Sequence, residues 1–432
     1  MKKISTLKMI INDYVAFLMT IGGPIFLAIS AFALVAHTTF ASGNPGTNNF
    51  DIAEIERARI LKKAEVYLAE PPRTVTADRS ERSKGGLHDF YSEGDYWWPD
   101  PTNPEGPYIR RDGETNPDNF NAHRHSMVRF SEFIGTLVSA YLITRDEKYA
   151  AQAVTHLKAW FVDDATRMNP SLLYGQAIKG RHSGQGIGII DTIHLVEVAR
   201  GAKLLCASRS FPTKEQAKVK AWFREYLTWI NTHEYGKREK HHPNNHGVCW
   251  SLQAAAFADL VGDNDQLAWI RRQFETVYLG KMMNHEGGFS EELKRTKPYG
   301  YSLFVIDAMA GVAQFASTPE NDLWTLELPD GRGMKKGMQF IVPYIADKSS
   351  WPYQKDVMYW DEWPVRHPSL LLAGINLEKP DYLALWEKLK ADPQTPEVLR
   401  NLPLRHPLLW STKPNTVHGN REEGSFVPAI RR

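Results

Sequence analysis

"YGYSLFVIDAMAGVAQFAS", residues 299–317, carries one charged side chain, Asp307, and no polar face at helical period. A helix apolar all round has to be enclosed by other elements. Working outward from it, an amphipathic helix is expected over 52–70, and further helices near 125–145, 147–163, 191–207, 213–232, 245–262, 264–280, 331–346 and 379–390. In each, apolar residues recur at three and four spacing, and turn signals such as "RDEK", "FPTKE" and "VGDND" separate them. "KAWF" occurs at 158–161 and again at 220–223, a short echo that suits stacked helical hairpins. Strand signals are few. The expected fold is all-α: an incomplete (α/α) toroid of about six to seven helical hairpins with long ordered loops, the 299–317 segment being an inner helix.

The chain has 432 residues, 24% of them charged, the composition of an ordinary globular protein. Residues 1–41 read as an export segment: Lys2, Lys3 and Lys8 precede an apolar run from 14 to 36, and "TFAS" suits cleavage after Ala41. The run is long, so an uncleaved anchor is the alternative. Either way the chain is expected outside the cytoplasm, periplasmic or secreted. Residues 42–51 are read as a linker and 52–432 as a single domain. The formal charge is +2; residues 1–41 hold three Lys and one Asp, so the remainder sits near zero (2 − 2 = 0). Such a balance makes no field for nucleic acid, and the only membrane contact expected is the anchor. Two cysteines, Cys206 and Cys249, exclude a disulfide scaffold and read as buried thiols. The 13 Trp and 17 Tyr suit stacking on sugar rings, and equally the packing of helix contacts.

Four stretches carry chemistry. "HHPNNHGVCW", 241–250, is dense in uncharged polar groups. His242 and His246 have the spacing of a helical zinc pair, but Pro243 lies between them and no HExxH glutamate accompanies them, so neither metal nor other cofactor is expected. Asn244 or Asn245 suits a helix N-cap, with Trp250 one turn beyond His246. "EELKRTKPYGYSLF", 291–304, gathers Arg295, Lys297, Tyr299 and Tyr301 at the mouth of the inner helix. Residues 85–120 have no helical period and many large aromatics, so they must form an ordered loop; Trp97, Trp98, Tyr108, Arg110 and Arg111 lie on it. "KGRHSGQGIGIID", 179–191, lacks dinucleotide spacing; Arg181, His182 and Gln185 could line a cleft.

Asn, His, Arg and Tyr together suit elimination across C4–C5 of a uronic acid. Hydrogen bonds from an amide, an imidazole and a guanidinium neutralise the carboxylate, so that charge can flow into it when C5 loses its proton. A tyrosine beside an arginine has its phenolate favoured, and can take the C5 proton and return one to O4. A hydrolase would instead need a carboxylate pair; Asp95, Asp100, Asp112, Glu114, Asp191 and Glu291 are the candidates, and none forms a recognisable pair. A non-catalytic polysaccharide-binding protein is the other alternative.

"NNHGVCW" at 244–250 and "ELKRTKPYGYSLF" at 292–304 resemble the alginate lyase family of α/α-toroid polysaccharide lyases. "DYWWPDPTNPEGPYIRRDGETNP" at 95–117 resembles the loop of a branch acting on alginate and β-1,4-glucuronan. The likeness runs over 85–317. It implies an anionic uronan as partner, Asn245 and His246 as the charge-neutralising pair, Arg295 as their assistant and a tyrosine as acid and base. One residue separates the two tyrosines here, where better-known members have two. Tyr301 is favoured as acid and base, with Tyr299 as a substrate contact. Trp250, Arg181, His182, Gln185, Trp97, Trp98, Arg110 and Arg111 complete the expected substrate surface, while His241 and His242 are expected to be dispensable.

Overall fold

The computed structural model describes residues 50–411. The export segment 1–41, most of the linker and residues 412–432 lie outside the described residues. In chain order the helices are α1 (Ile52–Tyr67), α2 (Ala122–Thr144), α3 (Glu147–Phe161), α4 (Leu195–Leu205), α5 (Thr213–Thr232), α6 (Glu234–Lys240), α7 (Asn245–Val261) and α8 (Asn264–Gln273). They continue with α9 (Ser290–Leu293), α10 (Pro298–Ala316), α11 (Met334–Ala346), α12 (Pro368–Asn376), α13 (Pro380–Lys388), α14 (Pro396–Arg400) and α15 (Pro407–Trp410). Helices α2, α4, α7, α10 and α12 pack in succession as an inner ring. Around them α1 and α3 lie on α2, α5 on α7, α8 on α7 and α10, α11 on α10 and α12, and α13 on α12. The short α15 touches α1, α2, α4 and α12 and so fills the gap between the last inner helix and the first. This is the incomplete α/α toroid expected from the pattern.

Local chemistry explains the inner helices. Pro298 opens α10 with its fixed φ, and every residue of that helix except Gly300 is buried. At Gly311 a Cβ would come within 2.6 Å of Leu252 Cδ1, so glycine lets α10 approach α7. Asn244 caps α7, its side chain accepting from the His246 N–H at 3.1 Å, and Gly262 ends that helix at φ +81°. Two expectations are corrected in detail. The segment near 191–207 starts as a 3₁₀ turn, Gly186–Thr192, before α4. The segment near 264–280 leaves α geometry at Gln273 and winds as a π-helix through Phe274–Met282.

The loop over 85–120 is ordered by its own polar groups. Strand β1 (Tyr91–Glu93) pairs in parallel with β4 (Tyr174–Ala177), and β2 (Trp97–Trp98) pairs antiparallel with β3 (Ile109–Arg110). Buried Arg124, in the first turn of α2, donates to Asp95 on the loop at 2.6 Å and to Asp191 ahead of α4 at 3.0 Å. Asn116 and Asn119 donate to the Trp97 and Gly94 carbonyls. A charge pair buried this deeply holds the loop because neither partner can be released into an apolar interior without large cost.

Candidate active site

The start of α10 sets two tyrosines in different surroundings. Tyr301 Oη lies 2.7 Å from Tyr96 Oη of the loop and accepts from Arg295 Nη2 at 3.3 Å. The Arg295 guanidinium also stands over the Tyr301 ring at 4.4 Å, and the Lys297 ammonium at 5.5 Å. Tyr299 points away. It is fully buried, donates to the Tyr344 carbonyl at 3.0 Å, and packs against Trp351 and Trp360. This arrangement does not favour its expected contact with substrate, because its hydroxyl is taken by a carbonyl and its ring by two tryptophans. Asp356 accepts from the Tyr299 and Gly300 N–H groups and so fixes how α10 presents Tyr301.

Arg295 is held by the loop. Its Nη2 and Nε donate to Asp112 at 2.9 and 3.2 Å, and Thr296 Oγ1 donates to the same carboxylate at 2.9 Å. Gly113, at φ +80°, makes this approach possible, since a Cβ there would meet Thr296 Oγ1 at 2.4 Å. Burial pushes the Asp112 carboxyl up, but the hydrogen bonds and charge of Arg295, with Thr296 and Arg110, prevail and hold it at about 2.

The Asn–His pair has carboxylates behind it. Buried Asn245 donates both its backbone N–H and its Nδ2 to Glu292, each at 2.7 Å. His246 Nδ1 lies 2.5 Å from the buried carboxylate of Glu239, which leaves Nε2 as the free ring nitrogen. Glu292 links the two halves of the site, because its own carbonyl accepts the Arg295 N–H at 3.1 Å. Trp250 is corrected as a substrate contact: it is fully buried, donates to the Ile230 carbonyl and meets Trp269 edge to face.

One electrostatic expectation is overturned. Burial pushes the Tyr301 phenol well above its ordinary value, Tyr96 pushes the same way, and Lys297 and Arg295 pull back without prevailing. The cations are there, but the hydroxyl is enclosed, and desolvation of a phenolate outweighs them.

The aromatic and basic residues of the loop pair with one another. The Arg181 guanidinium lies 5.2 Å over the Trp97 ring and donates to the Tyr108 carbonyl; Arg111 lies 5.0 Å over Trp98, and exposed Arg110 pairs with Asp112 at 2.6 Å. His182 is exposed, and Gln185 donates to the Gln176 carbonyl. Of these, Arg110 is tied to the tyrosine cluster through Asp112, and Arg111 through its backbone N–H, which donates to the Tyr96 carbonyl at 2.8 Å. The His242 ring lies tilted beside that of His246, with centroids 5.0 Å apart. Sequence reasoning passed over Tyr96, Glu239 and Glu292, and weighed Asp112 only as a hydrolase carboxylate. Tyr96 stood in the quoted loop beside two tryptophans, and Glu292 three residues before Arg295; neither spacing predicts a contact across the fold. Asp95, Asp191 and Asp112, candidates for a hydrolytic pair, are each bound to an arginine.

A helical toroid carrying tyrosine and arginine at the mouth of one inner helix, and histidine and amide at the mouth of its neighbour, is that of an α/α-toroid polysaccharide lyase, and comparisons with known proteins agree. The family model described as alginate lyase matches residues 74–351, and the chain belongs to the alginate lyase family. Its fold is similar to the crystal structure of an alginate lyase from Bacteroides ovatus, with 32% identity, a TM-score of 0.71, and coverage of 81% of this chain and 93% of that one. A histidine-to-alanine variant of alginate lyase A1-III, complexed with tetrasaccharide, shares the fold at 14% identity and a TM-score of 0.53, covering 86% of this chain and 95% of that one. No curated protein matches the chain.

Proposed function

We propose that this lyase cleaves a 1,4-linked uronan, polymannuronate of alginate or β-1,4-glucuronan, by β-elimination at Tyr301. The observation that carries the reading is the Tyr301 hydroxyl held between Tyr96 and Arg295 at the mouth of α10. The phenolate takes the C5 proton, the electron pair forms the C4–C5 double bond, and the C4–O4 bond breaks as O4 receives a proton from the same phenol. His246, through Nε2, and Asn245 neutralise the carboxylate on C5, with Glu239 and Glu292 holding them in place.

Two observations refine the roles. In the closed site the phenol keeps its proton because burial dominates. The charges of Arg295 and Lys297 at its ring oppose that shift, and are the groups that favour the phenolate as the proton is passed on. Arg295 presents its Nε and Nη2 to Asp112, so its part is to support the Tyr301 oxygen rather than to clamp the sugar. Mannuronate and glucuronate place H5 and O4 on one side, within reach of a single tyrosine; guluronate places them on opposite faces and would need His246 as base. The expected preference is for polymannuronate or polyglucuronate over polyguluronate. The basic and apolar character of 1–41 supports export to the periplasm or beyond.

The test is a panel of uronans followed by ultraviolet absorbance of the unsaturated product. Tyr301→Phe is expected to lose about 10²–10⁴ of the rate, the usual share of a general acid–base group, while binding is kept. Polyguluronate cleaved fastest, or an active Tyr301→Phe variant, would overturn the single-tyrosine reading.

A further inference from the structure

The first turn of α10 is capped from far along the chain. Lys297 precedes the helix and makes no capping bond with its side chain, and Pro298 has no N–H to satisfy. The two donors left in that turn, the N–H groups of Tyr299 and Gly300, both go to Asp356, one to each carboxylate oxygen at 2.9 Å. Gly300 makes room for this approach, since a Cβ there would stand 2.9 Å from Asp356 Oδ2. Tyr301 follows at once, its own N–H bonded to the Lys297 carbonyl at 3.0 Å. Asp356 belongs to the segment 351–363, which also grips the turn that carries Arg295. Gln354 Nε2 donates to the Arg295 carbonyl at 2.8 Å, and the Val357 N–H to the Thr296 carbonyl at 3.1 Å. Lys348 holds the far end of the segment, donating to the Trp360 and Trp363 carbonyls at 2.9 Å.

The Asp356 carboxyl is buried, and no cation forms an ion pair with it among the described residues. The titratable groups around it are Tyr299 on α10, Lys297 ahead of that helix, Lys348 after α11 and Lys355 on its own segment. Lys297 is paired with Glu397, Lys348 lies 4.0 Å from Asp361, and Lys355 lies over the Trp360 ring. Burial pushes the carboxyl up to about 6, while the two N–H groups, Lys297 and Lys348 pull down without prevailing. An acid raised in this way contributes stability that is present below about pH 4 and is lost as pH rises through about 6. Its ionised form is therefore a cost to the fold. What the charge supplies is a better acceptor: a carboxylate takes both N–H groups, whereas the neutral acid gives one oxygen over to an O–H.

We propose that Asp356 is a positioning residue for the elimination, and that its charge state sets the rate: the carboxylate locks the first turn of α10 and so holds the Tyr301 oxygen in place beside Arg295, and the neutral acid lets that turn fray. The inference rests on the Tyr301 reading given above, and adds to it a group that never touches the sugar.

The test measures kcat and KM on the uronan cleaved best, together with melting temperature, from pH 5 to pH 8 for the parent and Asp356→Asn. Titrations common to both chains cancel in the ratio of their rates. The expected kcat ratio of parent to variant is about ten at pH 8, as one lost charge-assisted hydrogen bond would give, and it narrows toward one at pH 5 with KM held throughout. Stability should move the other way. The variant gains on the parent in melting temperature as pH rises, because it lacks the carboxylate whose ionisation costs the parent. That opposition of rate and stability separates positioning from a merely structural cap. Gly300→Ala, which crowds Asp356 away from its donors, should lower kcat with KM held, and it carries the test should Asp356→Asn not fold. A kcat ratio or a melting gap independent of pH, a loss in KM in place of kcat, or a Gly300→Ala chain with the parent's rate overturns the proposal while leaving the lyase reading intact. A parent that eliminates no uronan at any pH overturns both.

Discussion

Tyr299 and Tyr301 stand two positions apart on α10, and two positions turn an α-helix by about 200°. One tyrosine therefore faces the site and the other the aromatic packing behind it, a choice that spacing alone left open. Tyr299→Phe loses the hydrogen bond to Tyr344 and is expected to cost about 1 kcal/mol of stability, with elimination unchanged; a melting curve beside a rate measurement separates it from Tyr301→Phe. Asp112 yields a pH prediction. Its carboxyl is held at about 2, below the roughly 3.9 of an unfolded aspartate. A depressed acid adds stability that is fully present above about pH 4 and is lost as pH falls through about 2. Asp112→Asn should thus cost about 2 kcal/mol near neutrality, and the gap to the parent should close in acid. A gap independent of pH would refute the ion pair as its source. Arg295, Asn245 and His246 were legible as residues from motif alone. Their carboxylate partners were not, because Glu239 and Glu292 reach them through contacts that no local spacing encodes.

At the scale of the element, periodicity served best where helices are long. The expected boundaries of α5 and α10 lie within a residue of those observed, because many turns of apolar pattern and proline or polar punctuation define them. The inner helix α12 was passed over: it spans Pro368–Asn376, and an apolar run that short does not distinguish helix from strand. Capping is testable on α7, the helix that carries Asn245 and His246. Asn244→Ala removes the acceptor of the His246 N–H and should lower stability by about 1 kcal/mol, read from denaturant midpoints. Packing is testable on α10. Gly311→Ala would force Leu252 and Leu404 aside, at about 1–3 kcal/mol, because a full core has no room for an added methyl group.

Over the whole molecule, the toroid is closed, among the described residues, by the short α15 rather than by another full hairpin. Glu197 of α4, fully buried, accepts from the Arg405 and His406 N–H groups at 2.7 Å, from Trp410 Nε1 at 3.0 Å, and pairs with His406 Nδ1 at 2.8 Å. Burial pulls His406 down, but Glu197 and Glu132 prevail and raise it above an ordinary histidine. A raised histidine contributes stability that is present below pH ~6.5 and is lost as pH rises through the folded value. Glu197→Gln removes the charge partner and should destabilise by about 3 kcal/mol or more, as breaking a buried pair does. Rate per folded molecule should hold, since α15 meets α10 at Gln314 and Phe315, about 20 Å along that helix from Tyr301. A variant as stable as the parent would show that closure does not depend on this carboxylate.

The all-α class, the hairpin series, the enclosed inner helix and the identity of the Asn–His, Arg and Tyr motifs were determined by the sequence itself, because periodicity and short motifs are local properties of a chain. Three matters were decided only by tertiary structure. Rotation of α10 turned Tyr301 toward Tyr96 and Arg295 and Tyr299 into aromatic packing, burial outweighs nearby charge at the Tyr301 phenol, and a loop carboxylate, Asp112, took hold of Arg295. Each depends on the sum of distant contacts around one group, and desolvation in particular is a property of an enclosure that no stretch of sequence contains.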